Sequence, residues 1–321
     1  MNTAAVRANR RKLLILAAIV LLCAAGYMLV DVNFSNPKLL AYAMKIRTPK
    51  LIVMLITAFS IGGASLVFQS IINNTIVTPC LLGMNSLYTL IHTAVVFFLG
   101  SSSIIASNAN LSFAVDVVLM GITATIIYSW IFKKTKHNVL YVLLVGTVLT
   151  SFFSSVQTTL TRVMDPNEYD SLLNTLVASF SNVNSEIIVF SLILLAAVIF
   201  ALRKELALLD VLTLGKEQAI NLGVDYDRCI RRLLLGVTLC IAVATAMVGP
   251  ISFLGLIIAN LSRQLLKTFR HTQLVLGSAL FGMIVLVPAV QAMVKTPFFK
   301  TVLHVKSGKG MSLFTAAVLL G

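Results

Sequence analysis

Charged residues are scarce in this sequence, and their scarcity limits what the protein can be. Lys, Arg, Asp and Glu together make up 11% of the 321 residues, whereas a soluble domain carries about 25%. The hydrophobic residues, 58% of the chain, stand in long unbroken runs rather than on short periodic faces, which is the pattern that a lipid bilayer imposes. The composition therefore excludes an ordinary soluble domain and predicts a protein embedded in a membrane.

Motifs for catalysis, nucleotide binding and metal binding are also missing. The sequence has no G-x-x-x-x-G-K-[ST] phosphate loop, and residues 307–310 (SGKG) lack its spacing. H-E-x-x-H and G-x-S-x-G are absent as well. The cysteines are scattered and form no C-x-x-C pair, so neither a disulfide framework nor a metal site is indicated. We therefore expect no catalytic residues, no metal and no cofactor. The cysteines are Cys23, Cys80, Cys229 and Cys240.

Ionisable residues are nearly absent from the apolar runs. Asp116 is the only acidic residue that lies clearly inside one, and His92 is a lone histidine in another. Ion-coupled carriers bind their ion through such residues, so a secondary transporter is a disfavoured alternative. A non-transporting membrane scaffold or sensor is another. The favoured class is a conduit whose energy comes from another chain.

Nine apolar runs meet or approach the length of about 20 residues that a spanning helix needs. Because strands of a membrane barrel alternate polar and apolar residues over about ten positions, these continuous runs predict an all-α, polytopic transmembrane helical bundle. We expect a single transmembrane domain over residues 1–321 with nine to ten spans, since a last apolar stretch at 311–321 is shorter than a span. The nine runs are 13–30, 51–68, 81–99, 111–132, 139–160, 186–202, 230–248, 252–266 and 273–294.

Basic residues indicate how the chain is oriented, because Lys and Arg concentrate in the short cytoplasmic loops of membrane proteins. The basic N-terminal tail, residues 7–12, predicts a cytoplasmic N-terminus, and the basic loops at 133–137, 203–232 and 267–270 agree. This bias explains the net charge of +14 without a nucleic-acid partner. Residues 38–50 are basic but fall on the outer side, either as interfacial side chains that reach the lipid headgroups or in a functional role.

A polar stripe runs along the fifth apolar segment. Its hydroxyl side chains recur at i, i+4, i+7 and i+11, the spacing of one helix face. One interpretation is hydrogen bonding to the helix's own backbone or to neighbouring helices. The other, which we favour, is a wet face that lines a translocation path. The stripe consists of Thr147, Ser151, Ser154 and Thr158.

Four stretches resemble the permease family of iron–siderophore, haem and vitamin B12 importers, the large type II ATP-binding-cassette (ABC) importers. The resemblance is strongest over residues 47–282, and the tail at 295–321 is atypical. Thr75 stands where the family has a proline, and Ala259 and Asn260 replace its proline and histidine. The stretches are residues 47–50 (RTPK), 63–83 (GASLVFQSIINNTIVTPCLLG), 214–223 (LGKEQAINLG) and 249–263 (GPISFLGLIIANLSR).

The resemblance implies roles for particular residues. Arg47 and Lys50 are expected to dock an external substrate-binding protein, although Lys50 replaces an arginine; a proline at a helix start that anchors the chain at the interface is the alternative. Asn74 is expected beside the path, in a turn that forms the cytoplasmic gate, or in an ordinary capped loop. A short helix bracketed by glycines is expected to couple to the ATPase. The residues expected to carry this coupling are Gly215, Ala219, Leu222 and Gly223.

The resemblance also implies a complete machine in a bacterial cytoplasmic membrane. Its parts are a second permease, identical or a sister subunit, two cytoplasmic ATP-binding subunits and an external binding protein. The cargo expected is an iron(III)–siderophore complex carried by alternating access, with vitamin B12 or haem as the alternatives. The fold expected is that of a type II importer permease in contact with membrane lipid.

Overall fold

The computed structural model describes residues 3–29, 37–134, 139–180 and 185–295. Within these ranges the regular elements are helices. They are α1 (Thr3–Leu29), α2 (Pro37–Ile72), the 3₁₀ helix η1 (Cys80–Leu82), α3 (Met84–Leu99), α4 (Ile104–Ser107), α5 (Ala109–Lys134), α6 (Val139–Val163), α7 (Pro166–Leu176), α8 (Ile188–Ala201), α9 (Arg203–Ala207), α10 (Leu209–Leu212), α11 (Lys216–Asn221), α12 (Tyr226–Val248), α13 (Leu254–Leu266) and α14 (His271–Lys295).

The nine apolar runs correspond one to one with nine of these helices. Six are long and apolar enough to cross a membrane, namely α1, α2, α5, α6, α12 and α14, and the shorter α3, α8 and α13 are apolar as well. The predicted all-α transmembrane bundle is therefore confirmed. The atypical tail, with its uncertain tenth span, lies outside the described residues.

Burial separates a central pair of helices from the periphery. In the apolar segments of α2 and α12, 72% and 67% of the residues are buried, but only 17% are buried in α1 and α6. The centre is packed closely, because a Cβ atom on Gly62 of α2 would lie 3.1 Å from the Ser278 carbonyl oxygen of α14. Likewise, a Cβ atom on Gly255 of α13 would lie 2.0 Å from Ser65 Oγ. Small residues at these positions let the helix backbones approach.

The second helix is longer than its apolar run predicts. It begins at Pro37 rather than near residue 51, so Pro49 lies inside the helix and not at its start. Proline removes one backbone donor from a helix but is tolerated within membrane helices when other groups satisfy the freed carbonyl. The helix ends at Ile72, and Asn73 then takes a positive φ of 55° that turns the chain.

A break in the chain separates α12 from α13. α12 ends at Val248, Gly249 has φ of 86°, and α13 begins at Leu254. Pro250 follows directly and has no backbone N–H to continue the helix. The amide of Ser179 donates to the Val248 carbonyl at 2.7 Å, so the segment after α7 packs against this break. Non-helical backbone at membrane depth is found where protein or a cavity surrounds it.

Candidate transport path, gate and coupling region

The polar stripe predicted for the fifth apolar segment lies on α6, and all four of its residues are exposed. Thr147 Oγ1 donates to the Leu144 carbonyl at 2.9 Å, and Ser151 Oγ donates to the Thr147 carbonyl at 3.1 Å. Thr158 Oγ1 donates to the Ser154 carbonyl at 2.8 Å. These three hydroxyls therefore bond to the backbone of their own helix, as one interpretation predicted, and the other described residues leave the stripe exposed.

The face of α6 next to the stripe packs against η1 and the start of α3. A Cβ atom on Gly146 would lie 2.3 Å from Leu82 Cδ2, and one on Gly83 would lie 2.6 Å from Thr150 Oγ1. Ser154 is the stripe residue that reaches another helix, since its Oγ donates to Ser86 Oγ at 3.3 Å. α6 is thus packed closely against η1 and α3, while the hydroxyls of the stripe are exposed.

Asn74 lies in the turn that joins α2 to η1, here called the gate turn (residues 73–79). Its side-chain Oδ1 accepts from the Ile76 amide at 2.8 Å, and its own amide donates to the Gln69 carbonyl at 3.0 Å. The asparagine therefore holds the turn's backbone in place. Its half-exposed side chain also lines a cavity of about 550 Å³ between the gate turn, α10 and the start of α14.

A hydrogen-bond network anchors the gate turn to the bundle. The Thr75 carbonyl accepts from Gln69 Nε2 at 2.7 Å and from Asn260 Nδ2 at 3.1 Å. Arg263 Nε lies 3.4 Å from Gln69 Oε1, and Arg263 Nη2 donates to Ser70 Oγ at 3.0 Å. Thr75 and Asn260 are both departures from the family pattern, and the fold brings them into direct contact.

The glycine-bracketed helix predicted from the sequence is present as α11, between Gly215 (φ 104°) and Gly223 (φ 81°). The Val224 amide donates to the Ala219 carbonyl at 3.0 Å, and the Gly223 amide to the Ile220 carbonyl at 2.9 Å. These two bonds form the Schellman motif that ends a helix with a glycine. Ala219 is fully buried, whereas Leu222 is 63% exposed. α11 thus has one buried face, and the other described residues leave the apolar side chain of Leu222 exposed.

Side-chain bonds fasten the segment 203–223, here called the coupling segment, to the long helices. Arg232 Nη1 of α12 donates to Glu205 Oε1 at 2.6 Å. Burial raises the pKa of the Glu205 carboxyl, but the Arg232 hydrogen bond and charge, a backbone hydrogen bond and the Lys204 charge outweigh it, so the pKa is lower than usual. Asp210 Oδ1 contacts His271 at the start of α14, 3.0 Å from its amide and 2.5 Å from Nδ1.

Arg47 and Lys50 lie three residues apart on α2, and both are half-buried. Arg47 Nη1 donates to the Tyr27 carbonyl at 2.9 Å and to the Met28 carbonyl at 3.3 Å, in the last turn of α1. A cation at a helix C-terminus satisfies carbonyls that have no partner in their own helix. Arg47 therefore ties α1 to α2, whatever it does toward a partner.

Two contacts between distant residues are not indicated by any local feature of the sequence. Asn260 and Thr75 were each recognised as departures from the family, but 185 positions separate them and no local signal pairs them. Asp116 and His92 were each recognised as ionisable residues inside a span, yet His92 Nδ1 lies 2.6 Å from Asp116 Oδ2. The rule that ionisable residues inside a membrane pair with one another could have predicted that second contact.

Comparison with known proteins agrees with this architecture. A solved inward-facing structure of the metal-chelate type of ABC transporter matches with a TM-score of 0.73 over 93% of this chain and all of that one, at 20% sequence identity. This likeness establishes the fold. The chain is thus a multi-pass helical membrane protein with the fold of that transporter.

The family follows from the sequence comparisons. The family model described as the FecCD transport family matches residues 13–306. The petrobactin import system permease YclO of Bacillus subtilis is 34% identical over 297 residues, 92% of this chain and 93% of YclO. The petrobactin import system permease FatC of Bacillus anthracis is 34% identical over 81% of this chain and 73% of FatC. The chain belongs to the FecCD transport family.

Proposed function

We propose that this chain is a permease subunit that carries an iron(III)–siderophore complex across the cytoplasmic membrane by alternating access, driven by separate ATPase subunits. The substrate class rests on the two 34%-identical relatives, both named as petrobactin import permeases. Vitamin B12 and haem, the other cargoes of the resembled family, are the alternatives. The chain contributes a path, a gate and a coupling surface, and the partners supply energy and substrate.

The exposed hydroxyl face of α6 is the observation that carries this proposal. In a chain with 58% hydrophobic residues, a lipid-facing helix needs no row of hydroxyls. The stripe residues Thr147, Ser151, Ser154 and Thr158 are all exposed. Since most of them already bond to their own helix, they offer a polar but weakly binding wall, which suits a bulky cargo that must leave again. The wall becomes a path when a second permease, identical or a sister subunit, faces it.

The coupling segment supports an ATPase partner on the cytoplasmic side. α11 exposes Leu222 and Ile220, at 63% and 51%, while Ala219 anchors its other face. Exposed apolar side chains on a rigid short helix fit a cleft in another subunit. The hydrogen bonds from Glu205 to α12 and from Asp210 to α14 would transmit a displacement of the coupling segment directly to the bundle.

The basic segment around Arg47 and Lys50 supports docking of an external binding protein. With the N-terminus in the cytoplasm, these residues lie on the outer side. Arg47 donates hydrogen bonds to backbone carbonyls at the end of α1. Its positive charge still contributes to a field that attracts an acidic partner. A Lys50→Glu change should weaken docking more than Lys45→Glu, which makes the same change of charge at an exposed residue about 140° away around the same helix.

Uptake of radiolabelled iron–siderophore tests the whole proposal. Cells carrying the chain with its partners are compared with a Gly215→Val/Gly223→Val double variant, which strains both ends of α11, and with Gly26→Ala, whose new Cβ would meet nothing within 4 Å. Both proteins must reach the membrane. Loss of uptake in the double variant alone, with binding-protein docking retained, supports the coupling role. Unchanged uptake contradicts it.

The same assay distinguishes the alternatives. Competition by unlabelled petrobactin–iron, but not by vitamin B12 or haem, is expected for a siderophore permease. If uptake persists when the ATPase subunits are absent, the chain is an ion-coupled carrier, and transport should then depend on Asp116.

A further inference from the structure

A cavity lies near the outer end of the bundle, away from the coupling segment. Its volume is about 380 Å³, and α3, α5, α7 and the end of α12 surround it. Ser107 and Ser171 on its wall are exposed, so the cavity reaches the surface, whereas Asp116 on the same wall is only 1% exposed. The transport path described above does not use this cavity.

The carboxylate of Asp116 is incompletely satisfied. Its Oδ2 lies 2.6 Å from His92 Nδ1 and 3.5 Å from the Tyr88 hydroxyl. Its Oδ1 is buried and has no hydrogen-bond donor among the described residues. An orphaned buried carboxylate oxygen is costly at membrane depth, so such a group indicates a missing water or ion.

The end of α12 adds negative potential to the same cavity. Ala246, Met247, Val248 and Gly249 all line it. The Ala246 carbonyl lacks its partner within the helix, because the residue four positions on is Pro250, which has no N–H. The C-terminus of a helix carries a partial negative charge of about half an elementary unit. A water molecule would gain little from this field, but a cation would gain from both the carboxylate and the helix end.

We propose that this cavity binds a sodium ion, held by Asp116 and by the carbonyl end of α12 and assisted by hydroxyls such as that of Ser112. A single carboxylate with neutral oxygen donors suits a hard monovalent cation, and ends of interrupted membrane helices coordinate sodium in other transporters. The donors do not suit a transition metal, since no cluster of three His, Cys, Asp or Glu occurs among the described residues. The ion would hold α3, α5 and the α12–α13 break together, whichever cargo the permease carries.

Thermal unfolding of the purified full chain in lipid nanodiscs tests the site. Sodium chloride is titrated against choline chloride at constant ionic strength, with potassium chloride as a selectivity control. Wild type should show a saturable rise in Tm with sodium that choline does not produce. Asp116→Asn, which removes the charge but keeps the shape, should lose the rise. Asp210→Asn, which changes the other histidine-paired aspartate at the cytoplasmic end, should keep it.

Hydrogen exchange of wild type gives a second readout that needs no variant. Sodium should slow exchange in peptides covering residues 112–116 and 245–253, and leave 203–223 unchanged. Superimposed sodium and choline curves in wild type, for both Tm and exchange, would overturn the proposal and leave water as the occupant. A sodium shift that survives in folded Asp116→Asn would overturn it equally.

Discussion

Three glycines provide a graded test of the packing at the α12–α13 break. Gly249 has φ of 86° and ψ of 178°, and a Cβ atom there would lie 2.8 Å from both Ala178 Cα and the Val177 carbonyl oxygen. Gly223 has φ of 81° but open space around it, and Gly26 is helical with nothing within 4 Å. Alanine at Gly249 therefore adds both backbone strain and steric overlap, and alanine at Gly223 adds backbone strain alone. Alanine at Gly26 adds neither.

The expected magnitudes follow from these geometries. A non-glycine residue held at such backbone angles costs about 1–3 kcal/mol, and overpacking against a fixed backbone adds about 1–3 kcal/mol. Gly249→Ala should therefore lose about 2–6 kcal/mol, and Gly223→Ala about 1–3 kcal/mol. Gly26→Ala should gain about 0.5–1 kcal/mol, because alanine is the better helix former.

Apparent Tm of the purified variants in nanodiscs checks this order. Gly26→Ala should melt at or above wild type, Gly223→Ala below it, and Gly249→Ala lowest. The segment at 177–178 cannot relax cheaply, because the Ser179 amide is fixed to the Val248 carbonyl at 2.7 Å. Equal losses for Gly249→Ala and Gly223→Ala would refute the close approach of backbone at residue 249.

Three further changes test other parts of the molecule. Glu205→Gln should make Tm depend less on pH in the acid range. The pKa of Glu205 in the folded state lies below the ordinary value of 4.5, so its ionised carboxylate stabilises the fold above pH 4.5. This stabilisation is lost as the pH falls through the folded-state pKa. A pH series of melting curves that is identical in wild type and variant would contradict this. Asn260→Leu should lower the free energy of unfolding by about 0.5–1.5 kcal/mol, because it removes the hydrogen bond to the gate turn. It should also speed hydrogen exchange at residues 73–79. Gln264→Leu, at an exposed position on the same helix, should have neither effect. Ser151→Leu should reduce uptake severalfold with little change in Tm, and Val148→Leu, also exposed on α6, should leave uptake intact; equal effects would mean that the stripe does not line the path.

The spans could be predicted because hydrophobic length is a local signal. Each of the nine runs needs only its own residues to be recognised, and each became a helix. The predicted start of the second helix was wrong because a polar segment can also be helical. α2 already begins at Pro37 and includes the basic stretch 38–50 that precedes the apolar run. α7 has no counterpart among the nine apolar runs, although Asp165 followed by Pro166 is a helix-start signal. Asp165 does cap that helix, accepting from the Asn167 amide at 2.9 Å.

The candidate site was only partly predictable, because contacts between distant segments build it. The α6 stripe and the α11 glycines are periodic or local features, so the sequence reveals them. The partners of Thr75 and Asp210 lie 185 and 61 positions away, and no spacing rule connects them. Their pairing depends on how α13 and α14 pack on α2, which is a property of the whole bundle.

In the proposed mechanism, those distant contacts decide how movement reaches the gate. The coupling segment is fixed to α14 through Asp210 and His271, and α14 approaches the backbone of α2 at Gly62. The gate turn is held from the other side by Asn260 of α13, and Arg263 of the same helix bonds to Ser70 in the last turn of α2. Because α13 and α14 are consecutive helices that pack on each other and are joined by a short loop, a displacement of the coupling segment is expected to move both together. The gate turn is therefore expected to move with this helix pair rather than as an independent loop, and the Asn260–Thr75 bond is the contact through which α13 would carry it.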